Sequence, residues 1–324
     1  MPKRLLAALL LCCLLPVQAA GAEEQESVYH LVSERRKIYE IAGTGWLIQH
    51  WTEKYIPENT VKQAESFNAV MSAFDDVKTY VYLINSSRTM DLDHLDSDPP
   101  VWTIIKENYP NSTLGSFQID SIEDYQKYFY KTDHHWNYLA SYLGYTQIIH
   151  MLLGEDEPVL EPLETVEFPV MFNGSYHNKN NLNRQTSDQP FTVYRFDYPE
   201  MTIRINGKKK KAYGRQEDYF AGKYSKKKLT NHYEAFYGGD EGLVEFFTDQ
   251  PDKENIIIFC NSFSNAVKML IASHFNHTYF LDLRHYYEDM GEKFNLTRSI
   301  KAWNVTKVML LGDGAFFSLG TPYR

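Results

Sequence analysis

Asn255-Ile256-Ile257-Ile258-Phe259-Cys260-Asn261-Ser262-Phe263-Ser264-Asn265 reads as a strand that runs into a tight turn and then a helix. The run Ile256 to Phe259 has no polar face, as expected of a strand covered on both sides in a parallel sheet. Ala266, Met269, Leu270 and Phe275 continue it as a helix, and strands follow at Thr278 to Leu281 and at Lys307 to Leu311, the last closing on Gly312-Asp313-Gly314. Strand, helix, strand, helix, strand predicts an open parallel α/β sheet, whose sites lie at the carboxyl ends of its strands. Ser262 occupies such an end. Its hydroxyl sits on a sharp bend, where the N–H groups of a helix start can face a developing oxyanion. An ordinary helix cap suits the same position equally well. Ser264 reads as a capping hydroxyl, and Cys260, inside the strand, as a buried and inert thiol.

Toward the amino terminus, about 160–250 is strand-like and rich in turns. It includes Phe191 to Tyr198 and Met201 to Asn206, with Asn206-Gly207 as a turn signal. This stretch is expected to form a β-rich insertion in the α/β unit. Tyr138 to Leu153 has the spacing of an amphipathic helix, with Leu139, Leu143, Thr146, Ile149 and Leu153 on one face, Asn137 as its cap and Gly154 as its stop. A further helix is predicted from Asn59, as cap, to Asp76, and a buried strand from Val77 to Ile84. Asp91, Asp93, Asp96 and Asp98 lack the spacing of a calcium loop and read as a solvated acidic turn. Glu23 to Glu40 reads as a poorly packed arm able to become helical.

A nucleophilic serine needs a base, and Tyr128-Phe129-Tyr130-Lys131-Thr132-Asp133-His134-His135-Trp136-Asn137 supplies candidates. Alternate residues of an extended segment point the same way, which couples Asp133 with His135 rather than His134. Asp133 would then orient His135, and His135 would deprotonate Ser262. Trp136 would pack beneath and fix the motif. Two other interpretations stand beside this one. Asp133, His134 and His135 could contribute to a metal site, although adjacent positions converge on one ion only through a special turn. The stretch could also be an aromatic surface loop with satisfied histidines.

Lys3 and Arg4 before the apolar run Leu5 to Pro16, with small residues through Ala22, predict a secretory signal peptide over residues 1–22. Cys12 and Cys13 lack the preceding small residue of a lipoprotein site. Cleavage would leave Cys260 alone, so no disulfide framework is expected. It would also take the formal charge from −9 to −11, which argues against nucleic acid and against anionic lipid as partners. The lysines of 208–211 and 226–228 read as a solvated hairpin and loop. The abundance of tyrosine is explained by a ring-rich core without any ligand.

Lys131 to Asn137, followed by Asn261-Ser262-Phe263-Ser264 and then by Tyr279-Phe280-Leu281-Asp282-Leu283-Arg284, resembles the bacterial DHHW family. That family is similar to the SGNH-hydrolase-like proteins of alginate O-acetylation. The resemblance runs from about Val77 to the carboxyl terminus and includes Tyr233-Glu234-Ala235-Phe236-Tyr237-Gly238-Gly239-Asp240. It implies an SGNH-hydrolase-like, flavodoxin-like parallel sheet with flanking helices, formed as a single domain over residues 23–324. It also implies a catalytic set of Ser262, His135 and Asp133, with Gly238, Gly239, Asn261 and Arg284 as oxyanion or substrate-binding residues. The family commonly has Asp where this chain has Asn261, so the hydrogen bonding of the serine loop must differ.

The activity implied is that of a secreted or envelope-associated carbohydrate O-acetyltransferase or acetylesterase, acting on an extracellular polysaccharide or cell-wall glycan without cofactor or metal. A membrane-bound partner that supplies the acetyl donor is compatible with it. The competing expectation is a non-catalytic glycan-binding or assembly protein that keeps the fold.

Overall fold

A computed structural model describes residues 27–34, 37–49, 56–95, 98–176, 188–227, 230–320 and 323. The expected signal peptide, Asp96 and Lys228 lie outside the described residues. Strands β1 (Tyr29–Ser33), β2 (Ile38–Ile41) and β3 (Leu47–Gln49) form a small antiparallel sheet. The main sheet contains β4 (Lys78–Ile84) and β5 (Thr113–Phe117), while β6 (Glu164–Met171) and β7 (Pro190–Arg195) make a separate hairpin. Then β8 (Thr202–Ile205), β9 (Lys208–Lys210), β10 (Leu243–Phe247), β11 (Asn255–Cys260), β12 (His277–Leu281) and β13 (Lys307–Gly312) complete the main sheet, whose order is β5-β4-β13-β11-β12-β10-β8-β9. From β5 to β12 the neighbours are parallel, and β10, β8 and β9 extend that edge antiparallel. The expected α/β architecture is thus present. The β-rich stretch is divided, part standing apart as a hairpin and part widening the main sheet.

Successive residues of a strand face opposite sides, so a strand buried on both sides must be apolar throughout. In β11, Ile256, Ile258 and Cys260 belong to one core and Ile257 and Phe259 to the other. Tyr80, Tyr82 and Ile84 alternate with Val81 and Leu83 in β4 in the same way. Helices α1 (Pro57–Met71) and α2 (Pro100–Asn108) cover the second face, while α3 (Ile122–Tyr128) and α4 (Tyr138–Leu153) pack on the first.

Counted from β11, the parallel strands stand as second, first, third, fourth and fifth, the order of a flavodoxin-like sheet. The chain enters that sheet at its fourth strand, β4. Consistently, the segment after β13 lies against α1: Asn59 Nδ2 donates to the Ser318 carbonyl at 2.8 Å, and the Phe67 and Tyr323 rings are 5.3 Å apart.

Several local expectations change. Asn59 lies inside α1 instead of capping it; Pro57 starts the helix, and it ends at Met71. Asn137 and Gly154 bound α4 as expected, with Asn137 Oδ1 accepting from Leu139 N and Ala140 N. The buried face of α4 is not the leucine stripe, however. Ala140, Gly144, Tyr145, Ile148, Ile149 and Leu152 are buried and Leu143 is exposed, because Trp136 lies against Gly144 where any side chain would collide with it.

The arm expected to become helical is the β1–β2 hairpin. Asp91 and Asp93 hold it: Tyr29 OH donates to Asp91 at 3.0 Å and Val28 N to Asp93 at 2.7 Å, so the acidic turn is a docking point rather than a solvated one. Asn206 and Gly207, with φ of 50° and 74°, form the predicted two-residue turn between β8 and β9 and leave Lys208 to Lys210 exposed. No helix among the described residues is long and apolar enough to cross a membrane.

His232 is buried near Phe172 and Phe191, with Nδ1 3.0 Å from Tyr219 OH. Burial lowers its pKa from 6.5 to about 4. The unfolded chain therefore takes up this proton at higher pH than the folded one, and the stability contribution present above about pH 6.5 is lost as pH falls toward 4. Urea unfolding is expected to weaken by about 1–3 kcal/mol across that window. His232→Phe should flatten the dependence while lowering stability at pH 7.

Candidate active site

Residues 129–136 form a tight loop between α3 and α4. Phe129 bridges Trp136, Tyr130 N donates to the His135 carbonyl at 3.2 Å, and Asn137 N donates to the Tyr128 carbonyl at 2.8 Å. Inside the loop Asp133 is fully buried. Its Oδ1 accepts from His135 N at 3.0 Å and from His135 Nδ1 at 2.5 Å, and its Oδ2 accepts from Ser175 N at 2.6 Å. Burial works against the charge, but the neighbouring imidazoles of His135 and His134 and these N–H donors outweigh it and hold the carboxyl well below the usual carboxylate range. Asp133 thereby fixes the tautomer: Nδ1 of His135 carries the proton and Nε2 presents a lone pair.

That lone pair faces Ser262. The serine is half-buried at the start of a 3-10 turn, Ser262–Ala266, immediately after β11, and its Oγ is 2.7 Å from His135 Nε2. Two contacts join the halves of the site. Trp136, with no solvent exposure, donates Nε1–H to the Phe263 carbonyl at 2.9 Å. The Tyr233 ring stacks on His135 with centroids 3.8 Å apart and planes within 3°, and its hydroxyl donates to the Ser262 carbonyl at 2.9 Å. Ser264 Oγ donates to the Asn261 carbonyl at 2.8 Å, a structural role. Cys260 is buried, and burial pushes its thiol up to about 11, so it stays protonated at neutral pH.

Ser262 and His135 open on a cavity of about 600 Å³ that Gly238, Gly239, Asn261 and Arg284 also line. Their positions differ in kind. Gly238 N donates to the Glu234 carbonyl at 3.0 Å, closing the short helix His232–Tyr237. The N–H groups of Gly239 and Ser262 have no partner among the described residues. Asn265 holds the glycine segment in place, its Nδ2 donating to the Gly238 carbonyl at 3.1 Å while its Oδ1 accepts from buried Lys268 at 2.7 Å. The polar atoms of Asn261 are both taken up within the protein: Oδ1 accepts from Phe263 N at 3.3 Å, and Nδ2 donates to Asp313 Oδ1 at 2.9 Å. Arg284 is gripped by Asp282 and by Asp240, the latter at 3.0 Å. His134 lies in the cavity wall, 4.0 Å ring to ring from His135, with Nδ1 3.2 Å from Ser175 Oγ.

The side chains of Asp133, His134 and His135 do converge, their ligand atoms lying within 4.8 Å of one another, because the loop supplies the special turn that sequence spacing left open. Both oxygens of Asp133 and both nitrogens of His135 are already engaged, so an ion there would have to break the relay. In a second cluster, Asp240, Asp282 and His285, the guanidinium of Arg284 spans the two carboxylates. Neither donor set is open as it stands.

The sequence profile of the DHHW protein family matches residues 115–281, more than half of the chain and a span that contains Asp133, His135 and Ser262. The chain belongs to the DHHW family. No curated protein matches it by sequence. Among solved structures it is similar to PatB1 of Bacillus cereus with a sulfonyl adduct, at 16% identity and a TM-score of 0.64 over 89% of this chain and 100% of that one. It is likewise similar to a DHHW family protein of Eubacterium siraeum, at 17% identity and a TM-score of 0.64 over 89% of this chain and 95% of that one. The architecture is the SGNH-hydrolase-like α/β fold that the resemblance implied.

Four contributors to the site escaped sequence reasoning: Tyr233, the Gly174-Ser175 backbone, Asp313 and Arg88. Asp313 did carry a signal, since it follows β13 at the same edge as Ser262. The Gly174 contact carries a direct test. A Cβ there would lie 2.5 Å from the Thr132 carbonyl oxygen and 2.6 Å from Asp133 Oδ2. Gly174→Ala is expected to cost about 1–3 kcal/mol in thermal unfolding and to displace the carboxylate from the Ser175 N–H.

Proposed function

We propose that this protein is an exported, serine-dependent carbohydrate O-acetyltransferase or acetylesterase acting on an extracellular polysaccharide or cell-wall glycan. The observation that carries it is the continuous hydrogen-bonded chain from Ser175 N through Asp133 and His135 to Ser262 Oγ. Ser262 Oγ attacks the acetyl carbonyl as His135 Nε2 takes its proton, and the new imidazolium is stabilised by the ionised Asp133. The negative oxygen of the tetrahedral adduct is met by the N–H groups of Ser262 and Gly239. His135 then protonates the departing oxygen of the donor, leaving an acetyl-serine. A sugar hydroxyl or water, deprotonated by the same imidazole, attacks that ester and returns the proton to Ser262.

A cavity of about 600 Å³ beside the serine supports an extended acceptor. The apolar segment before the described residues supports export. The polar lining of the serine loop also answers the substitution at Asn261. An amide there donates to Asp313, where an ionised carboxylate would repel it, so the loop is held without a charge next to the nucleophile.

Ser262→Ala is expected to lower aryl acetate turnover by about three orders of magnitude or more while the melting temperature stays within a few degrees. A serine-directed phosphonate should label the wild type at Ser262, with the adduct located by mass spectrometry. A folded wild type that neither releases acetate nor takes the label, yet binds cell-wall glycan, would instead be the non-catalytic glycan-binding protein. Asp133→Asn should retain binding and lose about three orders of magnitude in turnover, because an amide cannot hold both the required tautomer and the imidazolium charge.

A further inference from the structure

Arg88 stands apart from the other charged groups that line the cavity. It follows β4 at the carboxyl edge of the sheet, and its backbone is tied down on both sides. Arg88 N donates to Ser86 Oγ at 3.2 Å, and the next residue, Thr89, accepts from Gly314 N at 2.9 Å through Oγ1. Only 13% of its side chain is exposed, and Nε lies 3.3 Å from Asp313 Oδ2. Asp313 in turn accepts from Asn261 Nδ2 at 2.9 Å and from Phe316 N at 3.2 Å. No hydrogen bond joins either terminal amino group of Arg88 to a described residue, although the side chain lines the same cavity as Ser262 and His135.

Neither of the other carboxylates that line the cavity is bonded to Arg88. Asp240 is held by Arg284 at 3.0 Å, and Glu234 Oε2 accepts from Asn231 Nδ2 at 3.1 Å. Nε is held beside Asp313 by charge and not by a hydrogen bond, and a guanidinium whose outer N–H groups have no partner among the described residues can meet a ligand with paired oxygens, a carboxylate or a phosphate. Its low exposure strengthens such a contact relative to one on the open surface. Asp313 also anchors Asn261, the residue before the nucleophile, so the anion site and the serine share one support.

We propose that Arg88 is the recognition residue for an anionic group on the acyl acceptor, a carboxylate or phosphate carried by the sugar that enters the cavity. This assignment builds on the acyl-transfer function proposed above, and it narrows the acceptor from glycans in general to charged ones. A neutral sugar would leave the outer N–H groups of Arg88 unmatched, which gives the site a means of discrimination.

The test uses the full chain carrying Ser262→Ala, so that binding is read without turnover. Glucuronate, glucose 6-phosphate and glucose are titrated and compared by calorimetry or ligand-observed NMR. At least one charged sugar is expected to bind about tenfold or more tightly than glucose, the better of the two identifying carboxylate or phosphate as the group read. Arg88→Lys in the same background should reduce the preference severalfold, since a point charge replaces a planar fork. Arg88→Gln alone would strand Asp313, so Arg88→Gln with Asp313→Asn is the removal variant, and it should bind all three sugars alike. Equal affinities in the Ser262→Ala protein, or a preference that persists in the folded removal variant, would overturn the assignment. Absence of acetyl release by the wild type would count against the acyl-transfer function and leave this readout unmoved.

Discussion

A fully buried, ionised carboxylate must be surrounded by donors, and Asp133 imposes that requirement on everything around it. The loop between α3 and α4 folds back so that His135 gives it two N–H groups, and the segment after β6 comes close enough for Ser175 N to give a third. Gly174 is needed at that crossing because the backbone and side chain of the motif leave no room for a Cβ. Once Asp133 is satisfied in this way, the imidazole of His135 has one tautomer and one direction. Tyr233 stacked on its face and Ser262 at its far nitrogen then complete the arrangement.

The order of the elements explains why these groups come from distant parts of the chain. The sheet has the strand order of a flavodoxin-like fold but is entered at its fourth strand, so the Asp-His motif precedes the serine in sequence. The carboxyl ends of β4, β11 and β13 still meet at one edge, where the strand order changes direction. Each delivers a piece of the same polar layer: Arg88 after β4, Asn261 and Ser262 after β11, Asp313 after β13. The separate β6–β7 hairpin and the short helix His232–Tyr237 close over this edge and supply Ser175, Tyr233 and Gly239.

Charge is arranged economically in that layer. Four carboxylates beside the cavity are matched from within: Asp133 by His135, Asp240 and Asp282 by Arg284, Asp313 by Arg88 and by the amide of Asn261, while Glu234 at the rim accepts only from the Asn231 amide. The positive groups differ in what they have left to offer. Arg284 is enclosed between two acids, whereas Arg88 keeps its outer nitrogens for a ligand. A protein whose overall charge is −9 thus presents a guanidinium in the wall of its cavity, where the local arrangement and not the net charge decides what is attracted.

The sequence by itself determined the strands β4, β11, β12 and β13, because a strand buried on both faces must be apolar at every position. It also determined the bounds of α4, through Asn137 and Gly154, and the β8–β9 turn, through Asn206-Gly207. The pairing of Asp133 with His135 was legible because the two lie two residues apart in one motif, although a tight loop and not an extended stretch brings them together. The α4 face was misjudged because apolarity alone does not reveal that Trp136 demands a residue without a side chain at Gly144. The arm before β3 and the acidic turn were misjudged for a related reason: Asp91 and Asp93 find their partners at Tyr29 and Val28, far off in sequence. Only the tertiary structure decided that Gly239 and not Gly238 keeps a free N–H, that Asn261 faces Asp313, and that Arg88 belongs to the cavity at all. Those outcomes depend on where separate strands end relative to one another, and hydrogen bonds between such ends leave no periodic trace in the sequence.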